Sequence, residues 1–215
     1  MRLNWLGRAA MNSSLRAMMQ RRYVAPLLER LGGRVPGGRV LEVGCGGGGG
    51  VEIILDRFGA AEVFAFDLDP KMVDRARRRL ARRPSGQVRL GIGDVTAIES
   101  QDAAFDAVFD FGAIHLVPDW EAALSEVRRV LKPGGRFFFE LVTSRLLRLP
   151  YALVTEGFER MRAPTPQSFM SALERRGIIV GESFARPRLA ALTQAAGDFI
   201  GVGRLGGERE KGGAT

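Results

Sequence analysis

Leu41-Glu42-Val43-Gly44-Cys45-Gly46-Gly47-Gly48-Gly49-Gly50 is the stretch on which the reading of the chain turns. Its first part continues an apolar, extended run from Arg39, and residues 51–58 behind the glycines have helical spacing. Glycines between a strand and a helix permit positive φ and let a ligand approach the backbone closely. The amide end of the following helix favours an anionic or polar ligand group. A flexible linker is the bland alternative, and the patterned elements on both sides argue against it. Gly44, Gly46 and Gly49 satisfy G-x-G-x-x-G, the dinucleotide fingerprint. Asp67 follows about 20 residues on, at the end of the next strand, where a carboxylate can accept both ribose hydroxyls. NAD and S-adenosylmethionine both carry an adenosine ribose, so these features leave both open.

Outward from the loop, strands and helices alternate. Strands are expected over Arg39–Val43, 62–66, Val88–Ile92, 107–111 and 136–142. Helices are expected over 51–58, over 70–82 with Pro70 in the first turn, and over 120–131, ended by Lys132-Pro133-Gly134-Gly135. Alternation of this kind predicts βαβ units and a parallel sheet with right-handed crossovers. Before the loop, Leu15, Met19, Tyr23, Leu27 and Leu31 recur at every fourth position, so 12–31 reads as helix, kinked or restarted by Pro26. Late in the chain, Pro164-Thr165-Pro166 precedes a helix over 167–176, and 178–184 and 198–202 form a last pair of strands. The domain reading is a helical extension or lid over 1–34, an α/β domain over 35–205, and a glycine-rich, polar, disordered tail over 206–215.

Two further acids bear on the ligand. Glu42 lies inside the first strand, where a carboxylate is costly unless paired or hydrogen-bonded. It can hold the loop or the ammonium of an amino-acid ligand. Asp94, in Gly93-Asp94-Val95 after the third strand, can accept from an adenine amino group, or be a plain turn aspartate. With these residues in view the chain resembles the class I S-adenosylmethionine-dependent methyltransferases. The motifs are Leu41 to Gly48, Phe66-Asp67-Leu68-Asp69, Gly93-Asp94-Val95 and Leu131-Lys132-Pro133-Gly134-Gly135-Arg136. The stretch from Phe105 to Asp119 resembles the small-molecule branch, which includes ubiquinone and menaquinone biosynthesis methyltransferases. The resemblance covers about residues 39–142.

The resemblance implies a doubly wound, Rossmann-like, seven-stranded and mostly parallel sheet, with helices on both faces and the last strand inserted antiparallel. It implies S-adenosylmethionine as cofactor. Glu42, Gly44 and Gly46 would match the loop around its methionine part, Asp67 the ribose acid, and Leu68 the residue on adenine. Asp94 and Val95 would match the adenine edge, and Phe111 the border of the methionine moiety. The family usually has a polar residue near Phe111, and the glycines after Gly46 exceed the usual loop.

Composition limits the partners. Net charge is +8, which invites a nucleic-acid or anionic-membrane reading. The lysines are only Lys71, Lys132 and Lys211, so the charge is almost all arginine, and arginine, alanine and glycine are abundant together, as a genome-wide codon bias would give. No apolar run approaches the ~20 residues of a membrane span, and no signal-peptide pattern is visible. The single Cys45 fits a reducing compartment, so a cytoplasmic location is expected; one cysteine and one histidine make no zinc cluster, and no metal is expected. The N-terminal helix has two readings: a lid, or a weak contact with an anionic membrane through Arg8, Arg16, Arg21 and Arg22 beside Trp5, Leu6, Leu15 and Met18.

Methyl transfer is an in-line displacement that chiefly demands alignment in a water-poor site. The only histidine, His115, falls just after the fourth strand and is the candidate catalytic base; its alternative is a wall of the pocket. Glu140 ends the fifth strand and faces either the acceptor or solvent. Residues 143–166 form the expected acceptor cover, with Leu146, Leu147, Leu149, Tyr151, Leu153, Val154 and Phe158 as its apolar lining. The expected activity is therefore methyl transfer to a small, partly apolar molecule. The rivals are a noncatalytic methyltransferase-like subunit, a nicotinamide oxidoreductase and a nucleic-acid methyltransferase. Against the last, Asp110-Phe111-Gly112-Ala113 stands where base-nitrogen enzymes carry Asn/Asp-Pro-Pro-aromatic.

Overall fold

A computed structural model describes residues 14–142, 164–185 and 198–206. Seven strands form one sheet in the order β3-β2-β1-β4-β5-β7-β6. They are β1 (Arg39–Val43), β2 (Glu62–Asp67), β3 (Val88–Ile92), β4 (Phe105–Asp110), β5 (Leu131–Val142), β6 (Ile178–Ala185) and β7 (Asp198–Leu205). The first five run parallel, and β7 is antiparallel to both β5 and β6. This is the sheet the sequence predicts, including the inserted last strand.

Strand order reverses at β1, which lies between β2 and β4. An open α/β sheet binds ligands in the crevice at such a switch point. The register aligns the carboxyl ends: Val43 pairs with Phe66 on one side and Asp110 on the other, and Asp67 pairs with Ile92. The residues that follow each strand, Gly44, Leu68, Gly93 and Phe111, therefore gather on one edge of the sheet.

Side chains alternate across the sheet and fill two cores. Val40, Phe109 and Phe138 face one side with Leu28, Val51, Ile54 and Phe58. Leu41, Val108, Phe137 and Phe139 face the other with Leu124, Val127, Phe169 and Leu173. In the first core, Phe109 stacks on Phe138 at 4.2 Å between centroids, and Phe58 meets both edge-on. These helices cover both faces, as a doubly wound fold requires.

The helices are α1 (Ser14–Met19), α2 (Ala25–Gly32), α3 (Gly49–Ile53), α4 (Pro70–Leu80), α5 (Trp120–Val130) and α6 (Pro166–Arg175), and the last three begin on side-chain caps. Asp69 caps α4 by accepting the Lys71 amide at 2.9 Å, with Pro70 in the first turn. Asp119 caps α5 through Ala122 N–H, and Thr165 and Ser168 cap α6 reciprocally ahead of Pro166.

Three elements differ from the sequence reading. The helix over 12–31, expected to kink or restart at Pro26, does so through a π turn, Gln20–Val24, just before α2. Pro26 has no N–H to donate, and the preceding Ala25 amide reaches back to Gln20 O, so the ladder shifts by one residue. The helix expected over 51–58 is five residues of α-helix followed by a π turn, Ile54–Phe58. The fifth strand starts at Leu131, not at 136: Leu131 pairs with Phe105 and Arg136 with Ala107, so the Lys132-Pro133-Gly134-Gly135 turn is a bulge within it. The acceptor cover expected over 143–166 lies outside the described residues up to 163, as does the tail from 207.

Candidate functional site

A cleft of about 410 Å³ opens at the switch point. Gly44 and Gly46 form its floor, with Asp67, Leu68, Asp69 and Met72 on the β2 side. Asp94, Val95 and Thr96 supply the β3 side, and Phe111 to Ala113 with Leu116 to Asp119 the β4 side.

The loop needs its glycines for different reasons. Gly44, Gly46 and Gly48 have φ of 65°, 50° and 82°. A Cβ at Gly44 would collide with Ala113, whereas nothing stands within 4 Å of the Cβ position of Gly46, which faces open space. A Cβ at Gly48 would press on Ala76 of α4 at 3.1 Å. At Gly50 it would overlap Glu42 Oε1 and come within 2.7 Å of Phe111. Two of the glycines beyond the usual motif thus fit this chain's own neighbours.

Asp67 is bound from two sides. Its Oδ2 accepts the Gly46 amide and its Oδ1 the Asp69 amide, each at 2.9 Å. Burial raises its pKa, and those two N–H groups oppose the rise. Across the cleft, Asp94 Oδ1 accepts both the amide and the hydroxyl of Thr96, at 2.9 and 2.8 Å, so the turn reading and the cleft-wall reading both describe it.

Two expected site residues stand off the cleft wall. Glu42 is 2% exposed beneath the loop, against Gly50, and its Oε2 has no hydrogen-bond partner. Burial, then Asp67 and Asp110, hold its carboxyl well above the usual range. His115 is 3% exposed on a 3-10 turn, Ile114–Leu116. The positive φ of Gly112, 84°, turns the chain so that the ring packs behind that glycine: His115 Cε1 lies 3.5 Å from where a Gly112 Cβ would be. Burial, and secondarily Arg16, push the His115 pKa down to about 3. The ring is thus neutral at pH 7, and both its nitrogens lack a partner. It is not poised as a base in this state.

Other polar groups surround it. Glu140 is 5% exposed with Oε2 unpartnered; burial raises its pKa and Arg16 pulls it back. Arg16 of α1 donates to Phe111 O at 2.8 Å, which fastens the N-terminal helix to the β4 side of the cleft. Arg21 pairs with Glu52, so two of the four arginines in the membrane reading have partners within the fold, and Arg8 lies outside the described residues. Asp110, absent from the sequence candidates, is 1% exposed and accepts the amides of Ala113 at 2.6 Å and Ile114 at 3.3 Å. Burial pushes it up to about 7. Asp69 and Asp119, each a helix cap, also line the cleft; the signal that could have found them is their place just before α4 and α5. No group of three or more metal-ligating side chains occurs among the described residues.

The donor set fits an adenosine-bearing sulfonium ligand. Unbranched backbone lies at the floor, a carboxylate stands at the end of β2 and another after β3, and apolar side chains line the rest. Residues 40–135 match the family model described as a methyltransferase domain. A fatty-acid O-methyltransferase of Mycolicibacterium smegmatis is 38% identical over 105 residues, 49% of this chain and 37% of that enzyme. A malonyl-[acyl-carrier protein] O-methyltransferase of Halorhodospira halophila is 40% identical over 126 residues, 57% of this chain and 41% of that enzyme. The matched stretches thus span well under half the length of these relatives. Among solved structures, phosphoethanolamine N-methyltransferase 2 of Haemonchus contortus, in complex with phosphomonomethylethanolamine and S-adenosylhomocysteine, superposes with a TM-score of 0.68 at 18% identity, over 85% of this chain and 52% of that one.

Proposed function

We propose that this chain, whose residues 40–135 form a class I S-adenosylmethionine-dependent methyltransferase domain, methylates a small, partly apolar molecule. The observation that carries the reading is Asp67: it is fixed at the cleft by the Gly46 and Asp69 amides, beside a floor that carries no side chain. S-adenosylmethionine, when bound, supplies an electrophilic methyl group on a sulfonium. Asp67 and Asp94 would hold its nucleoside end, and Gly44, Gly46 and Phe111 its amino-acid end. Leu116, Val117, Pro118 and Met72 exclude water from the cleft, which strengthens every polar contact inside it. The same apolar wall favours an acceptor with an apolar body.

Two of the relatives, by name a fatty-acid and a malonyl-[acyl-carrier protein] O-methyltransferase, support an acceptor of acyl character. The finer assignment, to the branch with ubiquinone and menaquinone biosynthesis enzymes, rests on the Phe105 to Asp119 stretch and stays a proposal. We also place His115 and Glu140 on the acceptor side. Both are buried, both carry unpartnered polar atoms, and buried polar atoms normally find partners. A cytoplasmic location is proposed on the strength of the single cysteine.

A thermal-shift panel with S-adenosylmethionine, S-adenosylhomocysteine, NAD and NADP tests the cofactor. Binding at a hundredfold excess over Kd adds about 2.7 kcal/mol of stability. A shift with nicotinamide cofactors alone would overturn the reading. His115→Gln is expected to keep S-adenosylhomocysteine affinity and to lower turnover of long-chain acids or quinols; loss of the affinity would remove His115 from the acceptor side.

A further inference from the structure

Seven cations lie between residues 71 and 83, and they divide by position around α4. Arg77 pairs with Asp74 at 2.9 Å, Arg79 with Glu52 at 4.0 Å and Arg83 with Asp56 at 2.7 Å. Lys71, Arg75, Arg78 and Arg82 are exposed and have no ion pair among the described residues. Their spacings of four, three and four residues place them within about 60° of one another round the helix axis. They form one line roughly 16 Å long, with Arg82 in the turn just past the helix.

An arginine-rich composition would scatter unpaired cations over the surface. Arg22, Arg30 and Arg128 are such scattered cases, each exposed on a different element. The α4 line is different, because every cation off it has an acid and none on it does. Like charges at i and i+4 repel. The helix therefore carries a repulsion that an outside anion would relieve.

We propose that this ridge docks an acidic helical segment of a protein partner. The width of the ridge decides the class of partner. Asp74 borders it on one flank, and Glu52 and Asp56, through Arg79 and Arg83, border it on the other. On both flanks the cations are already matched to carboxylates, so a membrane plane or a nucleic-acid duplex, which spreads its anions wider than the ridge, gains little there. A helix with carboxylates at matching i, i+4, i+7 spacing meets the ridge alone. The apolar residues of α4 are buried, so nothing on it inserts into lipid. The exposed large apolar residues are Met18, Ile92 and Ile179, none aromatic, so no stacking platform for bases accompanies the cations among the described residues. The surface does not depend on the identity of the methyl acceptor.

The test uses a fluorescein-labelled alanine-based helical peptide with glutamates at i, i+4, i+7 and i+11, and the full chain at low salt. Binding by anisotropy is expected for the wild type, and it should weaken at least about tenfold in Arg75→Glu/Arg78→Glu/Arg82→Glu. The off-ridge triple Arg22→Glu/Arg30→Glu/Arg128→Glu, with the same net charge, should stay within about twofold of the wild type, since rim charges remote from a contact act only weakly. Equal loss in both triples would reduce the effect to net charge and overturn the proposal. So would tighter binding of poly(U), duplex DNA or phosphatidylglycerol vesicles than of the peptide. An unchanged S-adenosylhomocysteine thermal shift in both triples shows that the fold is intact.

Discussion

The Asp67 carboxylate accepts the amide of Gly46 at 2.9 Å, so the acid at the end of β2 and the floor of the glycine loop form one unit. A ligand that bonds to Asp67 meets a carboxylate already aimed, which lowers the cost of ordering it. Asp67→Asn keeps an oxygen for one of the two amides but gives up the charge. Hydrogen bonds to charged groups contribute about 1.5–3 kcal/mol, so S-adenosylhomocysteine affinity is expected to fall roughly 10- to 150-fold by calorimetry. An affinity within about twofold of the wild type would remove Asp67 from the ribose site.

Gly50 and Glu42 are coupled by space. Gly50→Ala would push a methyl group into Glu42 Oε1 and toward Phe111. Overpacking of this kind costs about 1–3 kcal/mol. Glu42→Ala makes room, so Gly50→Ala should cost less in that background than alone. Urea unfolding of the two single variants and the double closes the cycle. Additive costs would mean that the loop moves away and that the two residues do not constrain each other.

Asp110 and His115 have opposite effects on pH-dependent stability. Asp110, raised from 3.8 to about 7 by burial, contributes stability that is full below about 3.8 and lost as pH rises through about 7. His115, lowered from 6.5 to about 3 by burial and then by Arg16, contributes stability that is full above about 6.5 and lost as pH falls toward about 3. The two slopes oppose each other between about pH 4 and 6.5, each at most about 1.4 kcal/mol per pH unit. Glu42, Asp67 and Glu140, raised as well, add falls of their own, so against the wild type Asp110→Asn should make the pH slope of stability over that window more positive, and His115→Gln more negative. Urea unfolding at four pH values reads both. Profiles parallel to the wild type in both variants would mean that neither group titrates between the folded and unfolded states in this range.

The sheet was legible because its signals are local and repeated: five apolar runs, the first four each followed by glycine or aspartate at the switch-point edge. Gly44, Gly46, Asp67, Leu68, Asp94, Val95 and Phe111, named from sequence, all line the cleft. What sequence left hidden depends on side-chain direction. The positive φ of Gly112 turns His115 behind the chain, and no pattern of residue types reports that turn in advance. Glu42 alternates correctly for a strand, yet which face holds the loop is decided by packing on Gly50. Asp110 gave no signal of its own in the sequence, because its partners, the Ala113 and Ile114 amides, come into reach only through the same turn.

Arg129 on α5 reaches away from the cleft yet governs one of its walls. Its guanidinium donates to Ser100 O at 2.7 Å, to Ile98 O at 2.8 Å and to the carboxylates of Glu126 and Asp102. Glu126 in turn accepts the Ile98 amide at 2.8 Å. The connection from β3 to β4 has no helix of its own, so these bonds take the place of one in fixing the segment that presents Asp94, Val95 and Thr96. A lysine brings one ammonium where the guanidinium brings a planar fork, and it cannot serve both carbonyls and both acids together. Arg129→Lys is therefore expected to weaken S-adenosylhomocysteine binding about three- to tenfold, at roughly one hydrogen bond's net worth of ~1 kcal/mol, and to speed amide hydrogen exchange selectively over residues 94–101. Faster exchange without loss of affinity would show that the adenine wall forms on the ligand and needs no support from α5. Loss of affinity with exchange unchanged would break the link between this anchor and the cleft.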